Sequence, residues 1–329
     1  MSEVATAPVT RPGRWCPPSY GLGPSAFAAA PKVHADVVYV AGGLYGNGAA
    51  LARLIELFDR EPAPRKQLVL NGDFHWFDRS EQAFAAIERD TSRFVRLRGN
   101  VETELAAEGD DAGCGCAYPD SVSDEDVERS NAILRELKRT ARALGVDQRL
   151  GRLSPVARAC CEGLEIAITH GDDRSLAGWE LAADRVDASW RDGLVARMRT
   201  LGVSLIASSH TCLAVADTAP DYPHDCAIIN NGAAGLANFQ GDPSGLFTRI
   251  ASPRWADTCA ETPLYRASLQ GVDIAAVPIR FEQSRWRSSF LADWPEGSAA
   301  HRSYWNRMVF GPNHSPDQAA RGRFRRVIG

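Results

Sequence analysis

Apolar residues along this chain gather in short runs that stop at a polar residue. Gln67-Leu68-Val69-Leu70-Asn71-Gly72 leads into Asp73, and Phe94-Val95-Arg96-Leu97-Arg98-Gly99 leads into Asn100. Leu164-Glu165-Ile166-Ala167-Ile168-Thr169 leads into His170, and Val203-Ser204-Leu205-Ile206-Ala207-Ser208-Ser209 leads into His210. Runs of this length and β-rich composition predict strands. The carboxyl ends of strands are where open α/β sheets collect ligands and chemistry. Val37-Val38-Tyr39-Val40-Ala41 predicts a further buried strand, followed by a glycine-rich loop that contains Tyr45. Leu51, Leu54, Ile55 and Phe58 then fall on one face of a helix. With a second helix over about 79–90 the order is β-α-β-α-β, a sheet with covering helices.

An acidic loop containing glycine and cysteine, 105–122, interrupts this rhythm. Ser123 with Asp126 predicts a helix start, Leu134, Leu137, Ala141 and Leu144 its buried stripe, and Gly145 its end. Strands over 155–161 and 164–169 are expected to form a hairpin around Glu162-Gly163. A helix with Leu194, Val195, Met198 and Leu201 on one side precedes the run to His210. Strands are expected over 226–229, 246–251, 264–269 and 272–280. The pattern therefore divides into an irregular N-terminal arm over 1–32, docked through Trp15 and Tyr20, a main domain over 33–284, and a C-terminal extension over 285–329. The insertion and its helix occupy 105–145. The extension carries Trp286, Trp294, Trp305 and several basic residues, and predicts no regular element.

A chain of 329 residues is long enough to bury a large core. A formal charge of −4 gives no electrostatic case for nucleic acid or an anionic membrane as partner. No apolar run approaches the ~20 residues that span a bilayer. The first residues show no basic start followed by an apolar stretch, so the expectation is a cytoplasmic protein whose eight cysteines are reduced.

Asn-Gly-Asp at 71–73, Gly-Asn at 99–100, Thr-His-Gly-Asp at 169–172 and Ser-His-Thr at 209–211 occur in that order. Over roughly residues 36 to 280 this order resembles the calcineurin-like metallophosphoesterases. Their usual pattern is Asp-x-His, Gly-Asp, Gly-Asn-His-Asp/Glu, a lone His, then Gly-His-x-His. The resemblance implies an α/β fold, a four-layer α-β-β-α sandwich of two mixed sheets flanked by helices. It implies hydrolysis of a phosphate mono- or diester by a metal-activated water, on a small phosphorylated substrate. It also implies one or two divalent ions (Mn, Fe or Zn), a pair lying about 3.5–4 Å apart. Matched position by position, Asp73 would be the bridging carboxylate, while Asn100, His170 and His210 would complete one metal site. An oxygen and imidazole set of this kind suits those metals.

The chain departs from the pattern at the other site. The family's Asp-x-His falls on Gly43-Leu44-Tyr45, the last His of Gly-His-x-His on Cys212, and the imidazole of Gly-Asn-His on Val101, with Glu102 kept after it. Either Tyr45 and Cys212 rebuild the second site as anionic ligands, or one metal remains and they line the pocket. Tyr45, Glu102 and Cys212 are candidate substrate contacts. With Val101 in place of the imidazole, His75 is the candidate general acid, joining Asp73 and Asn100 as candidate catalytic residues, with Asp78 placed to orient it. Asp172 and Asp173 could support His170 or cap a turn.

Two further functional readings stay open. The protein could bind a phosphorylated ligand or partner without turnover, or the altered site could perform redox or other non-phosphorus metal chemistry with Cys212 and the Cys114/Cys116 loop. That loop reads as a thiol pair, an extra ligand, a lid, or a tight turn with two half-buried thiols. Gly43-x-x-Gly46-x-Gly48 has neither dinucleotide-loop nor Walker spacing.

Overall fold

A computed structural model describes residues 11–186, 190–219 and 225–327. In chain order the elements are α1 (Pro24–Ala28), β1 (Lys32–His34), β2 (Val37–Ala41), α2 (Gly48–Arg60), β3 (Lys66–Asn71), α3 (Glu81–Thr91), β4 (Val95–Leu97) and α4 (Asn100–Ala106). They continue with α5 (Asp124–Ala143), α6 (Asp147–Gly151), β5 (Val156–Cys161), β6 (Leu164–Thr169), α7 (Trp190–Leu201), β7 (Leu205–Ser208), β8 (Val215–Ala219) and β9 (Cys226–Asn230). The last are β10 (Gly245–Ala251), β11 (Tyr265–Leu269), β12 (Val272–Ile279), α8 (Gln283–Asp293), α9 (Ala299–Phe310), α10 (Pro316–Ala319) and β13 (Arg325–Arg326).

The strands make two mixed sheets, one ordered β13-β11-β12-β10-β2-β3-β4 and the other β1-β5-β6-β7-β9-β8. β2, β3 and β4 run parallel, as do β6, β7 and β9. The alternation along β2 shows how they pack. Val38 and Val40 point into a core shared with Ile166, Ile168, Ala207 and Ile229 of the opposite sheet. Val37, Tyr39 and Ala41 point the other way, into a core with Leu54 of α2, Phe84 of α3 and Leu137 of α5. The outer face of the second sheet packs Ala167, Ile206 and Ile228 against Leu194, Val195 and Met198 of α7. Two sheets face to face with helices outside both give the four layers that strands buried on both faces require.

Ser123 caps α5 through Asp126 N–H, and Gly145 ends it in the left-handed region. The hairpin at Glu162-Gly163 turns with both residues at positive φ, as a two-residue connection of that twist demands. β1, β8 and β13 have no counterpart in the sequence reading. The extension expected to be irregular instead forms α8 and α9, and buries Trp286, Phe290, Trp294, Ala300 and Met308 in the core beneath α2, α3 and α5. Within the arm, Tyr20 is buried and Trp15 is partly buried. No described helix is long and apolar enough to cross a membrane.

The ion pair of Arg249 and Glu61 lies fully inside this framework. Arg249 of β10 donates from Nε and Nη2 to the two carboxylate oxygens of Glu61, at 2.8 and 3.0 Å, with both side chains 0% exposed. Tyr39 and Thr258 also donate to Glu61. Removing one partner strands the other charge in the core. Glu61→Ala should therefore destabilise the fold by about 3–5 kcal/mol in urea unfolding. A loss of less than about 1 kcal/mol, the scale of an exposed pair, would show that the pair is solvated.

Candidate metal centre

The four strand-end residues meet at one point. Asp73 follows β3 by way of Gly72 (φ +77°) and itself sits at φ +52°, which turns its carboxylate back across the strand end. Its Oδ1 accepts the Val101 N–H, and its Oδ2 faces His170 Nε2 at 3.2 Å. Asn100 opens α4. Its Nδ2 donates to the Cys114 carbonyl, so its Oδ1 turns to His170 Nε2 at 3.1 Å. His210 Nδ1 lies 3.1 Å from the same atom. Asp73, His170 and His210 are all buried, and their ligand atoms lie within 4.8 Å of one another.

The outer hydrogen bonds orient both imidazoles. His170 Nδ1 donates to the Asn71 carbonyl at 2.9 Å, and His210 Nε2 donates to the Cys116 carbonyl at 3.0 Å. Each ring thereby turns its other nitrogen toward the meeting point, the arrangement that fixes a metal-binding histidine. Donors bound to one ion at ~2.0–2.2 Å lie about 3.0–3.5 Å apart, so the 3.1–3.2 Å separations fit a common ion. Burial pushes the His210 imidazole down to about 3, helped by His170 nearby, which keeps it neutral. Burial works against charge on Asp73 and His170 too, but each outweighs it for the other, holding the carboxyl below and the imidazole above their usual ranges.

Two structural devices close the loops around this point. Glu102 does not line the cleft. Its buried carboxylate accepts the N–H groups of Asp73 (2.8 Å), Phe74 (3.0 Å) and Gly99 (2.8 Å), tying the β3 and β4 ends together. A side chain at Gly99 would collide with Asp73 and His170, so this approach requires glycine. Among the described residues, six non-glycines adopt positive φ, and Tyr45, Asp73 and Cys212 are three of them. Backbone strain is thus concentrated here.

A cleft of about 320 Å³ opens beside the cluster. Asp73, Asn100 and His210 reach its surface, as do Tyr45, Cys212, Val101 and Cys116. Trp76, Tyr118, Trp179 and Tyr304 give it an aromatic wall, and Arg307 of α9 adds a cation. Tyr45 Oη lies 2.6 Å from Cys212 Sγ. Burial raises the phenol well above its usual range and also raises the thiol, with the Arg307 guanidinium opposing both shifts.

His75 lies elsewhere. It is fully buried, stacked on Phe84 at 3.6 Å, with Nδ1 on Asp78 at 2.6 Å and Nε2 on Glu88 at 3.3 Å. Both nitrogens face carboxylates away from the cleft, so the structure takes His75 out of position as a general acid and makes it part of a buried charge network. Burial opposes its protonation, but Asp78 and Glu88 outweigh that and raise it to about 9. Arg96 and Arg149 complete the network on Glu88 at 2.7 and 2.5 Å. Asp172 caps the turn at Arg174 and Ser175, and Asp173 pairs with Arg197, so neither supports His170. Cys114 and Cys116 are buried rather than half-buried. The Cys116 carbonyl holds both His210 and the Trp179 indole, a backbone role that no side-chain pattern announces.

Glu102→Ala should loosen the ligand loops and weaken metal binding by about 10- to 100-fold in titration calorimetry. A substrate-contacting Glu102 would instead raise KM with metal affinity intact. Glu88 gives the pH signature. Burial disfavours its charge, but His75 and the two arginines hold it at about 2, below an ordinary value of 4.5. The stabilisation is complete above pH 4.5 and is lost as pH falls toward 2. The thermal midpoint of Glu88→Gln should fall below the parent's above pH 4.5 and approach it in acid. A gap that does not narrow in acid would contradict the charge network.

No known family profile matches the chain, and no curated protein sequence is detectably similar to it. Solved structures are. A hypothetical protein, PH1004, from Pyrococcus horikoshii OT3 superimposes with a TM-score of 0.58 at 13% identity, covering 84% of this chain and 99% of its own. A metallophosphoesterase from Sphaerobacter thermophilus superimposes with a TM-score of 0.51 at 13% identity, covering 84% of this chain and 100% of its own. Two mixed sheets between helices give this chain a metallophosphoesterase-like fold, with the buried Asp73, His170 and His210 at its strand ends.

Proposed function

We propose that this protein is a metal-dependent phosphoesterase that hydrolyses a phosphate mono- or diester of a small molecule. The observation that carries this reading is the convergence of Asp73 Oδ2, Asn100 Oδ1 and His210 Nδ1 on His170 Nε2 beside an open cleft. A divalent ion (Mn, Fe or Zn) held by these atoms would supply Lewis acidity toward a phosphoryl oxygen and lower the pKa of a water. The chain's own residues do the positioning. Asp73 supplies the one anionic ligand of the set, and the Asn71 and Cys116 carbonyls fix the imidazoles. The aromatic wall lowers the local polarity on one side of the cleft.

One observation favours a second reading, ligand binding without turnover. Val101 occupies the cleft surface where the resemblance expects an imidazole, and His75 does not replace it. A chromogenic phosphodiester assay decides between the readings. For the enzyme, His170→Ala or Asp73→Asn should remove bound metal, by elemental analysis, and lower turnover at least ~100-fold together. Full metal retention in either variant would contradict the ligand assignment, and a metal-loaded protein with no turnover of any phosphoester would favour the binder.

A further inference from the structure

We propose that Arg307 takes the place of a second metal ion, so that the centre binds one ion and grips the phosphoryl group between that ion and the guanidinium. This rests on the phosphoesterase reading above.

Beyond Asp73, the positions that could serve a second ion are Gly43, Tyr45 and Cys212. Tyr45 fills the space there itself, because a side chain at Gly43 would meet the Tyr45 ring and hydroxyl at 3.0 Å. Tyr45 Oη and Cys212 Sγ are 2.6 Å apart, and Cys212 Sγ donates in turn to the His210 carbonyl at 3.2 Å. The two atoms therefore already have each other as partners, and Cys212 Sγ has the His210 carbonyl as well. An oxygen and a sulfur on one ion, at ~2.0–2.2 and 2.3 Å from it, would stand about 3–3.7 Å apart, too far for this contact. The pair is a plug rather than two ligands spread around an ion. A second dication would then share one carboxylate, Asp73, inside a buried site, and charge burial on those terms is unfavourable.

What the cleft offers in its place is a fixed cation. Arg307 donates from Nη2 to the Cys212 carbonyl at 2.7 Å and from Nε to the Ala237 carbonyl at 3.2 Å. Those two bonds hold the guanidinium against the plug, in the same cleft as Asp73, Asn100 and His210. Among the described residues no carboxylate forms an ion pair with it, so the charge is oriented by neutral carbonyls and left for an anion. A guanidinium presents several donors in one plane and suits phosphoryl oxygens. Tyr304, one turn before it on α9, and Trp76 pack edge to face on the same wall, and the buried Trp76 indole N–H has no acceptor among the described residues. An anion held by Arg307 and the ion at Asp73 needs no second metal to balance it.

The test uses the full chain loaded with Mn, Fe or Zn, freed of excess metal and analysed for metal per chain, with inorganic phosphate as the calorimetric probe. One equivalent of metal is expected, and Arg307→Gln should keep that equivalent while weakening phosphate binding about tenfold or more. Arg307→Lys should recover part of the affinity, and thermal midpoints near the parent's in both variants verify folding. Two equivalents of metal, or phosphate affinity unchanged in a folded Arg307→Gln, would overturn the inference and leave the phosphoesterase reading standing. No bound metal would overturn both.

Discussion

A single buried carboxylate sets the geometry on which this site depends. Glu102 accepts N–H groups from Asp73 and Phe74 after one strand and from Gly99 after its neighbour. These amides sit in tight loops where no sheet ladder can satisfy them, and a buried unpaired N–H is costly. Tying them to one acceptor locks two strand ends together and sets the positions of Asp73 and Asn100. The opposite sheet supplies the other half. His170 follows β6 and reaches back to the Asn71 carbonyl at the end of β3, a hydrogen bond that links the two sheets at the site and orients the ring at once. The ligand cluster is in this sense the stitch between the sheets of the sandwich.

The surrounding cleft is built from parts far apart in sequence. The 105–122 insertion delivers the Cys116 carbonyl and Tyr118, the segment after β6 delivers Trp179, and the C-terminal α9 delivers Tyr304 and Arg307. These elements give the cleft its shape, whereas the strand ends supply the Asp73, His170 and His210 cluster beside it.

Much of this was legible in the sequence because strands buried on both faces are written as short unbroken apolar runs. Val38 and Val40 against Val37 and Tyr39 record the two faces of one strand, and each run led to a candidate ligand because the strand ended there. Spacing could not tell which way a side chain leaves a loop. His75 lies two residues after Asp73, yet the left-handed turn at Asp73 sends it behind the sheet to Asp78 and Glu88. Glu102 looked like a pocket residue because it follows the Gly-Asn pair, but on α4 it faces the strand-end amides. Arg307 was missed because α9 buries few of its residues, among them Ala300 and Met308, and shows no clear apolar stripe. A role carried by a backbone carbonyl, as at Cys116, leaves no side-chain signal at all.

The central claim is that Asp73, Asn100, His170 and His210 enclose one ion. A crystal of the protein soaked in Mn or Zn, measured at the metal's absorption edge, tests it most directly. The account predicts a single anomalous peak at about 2.0–2.3 Å from the four donor atoms. No peak there, or a peak at Tyr45 and Cys212 instead, would contradict it.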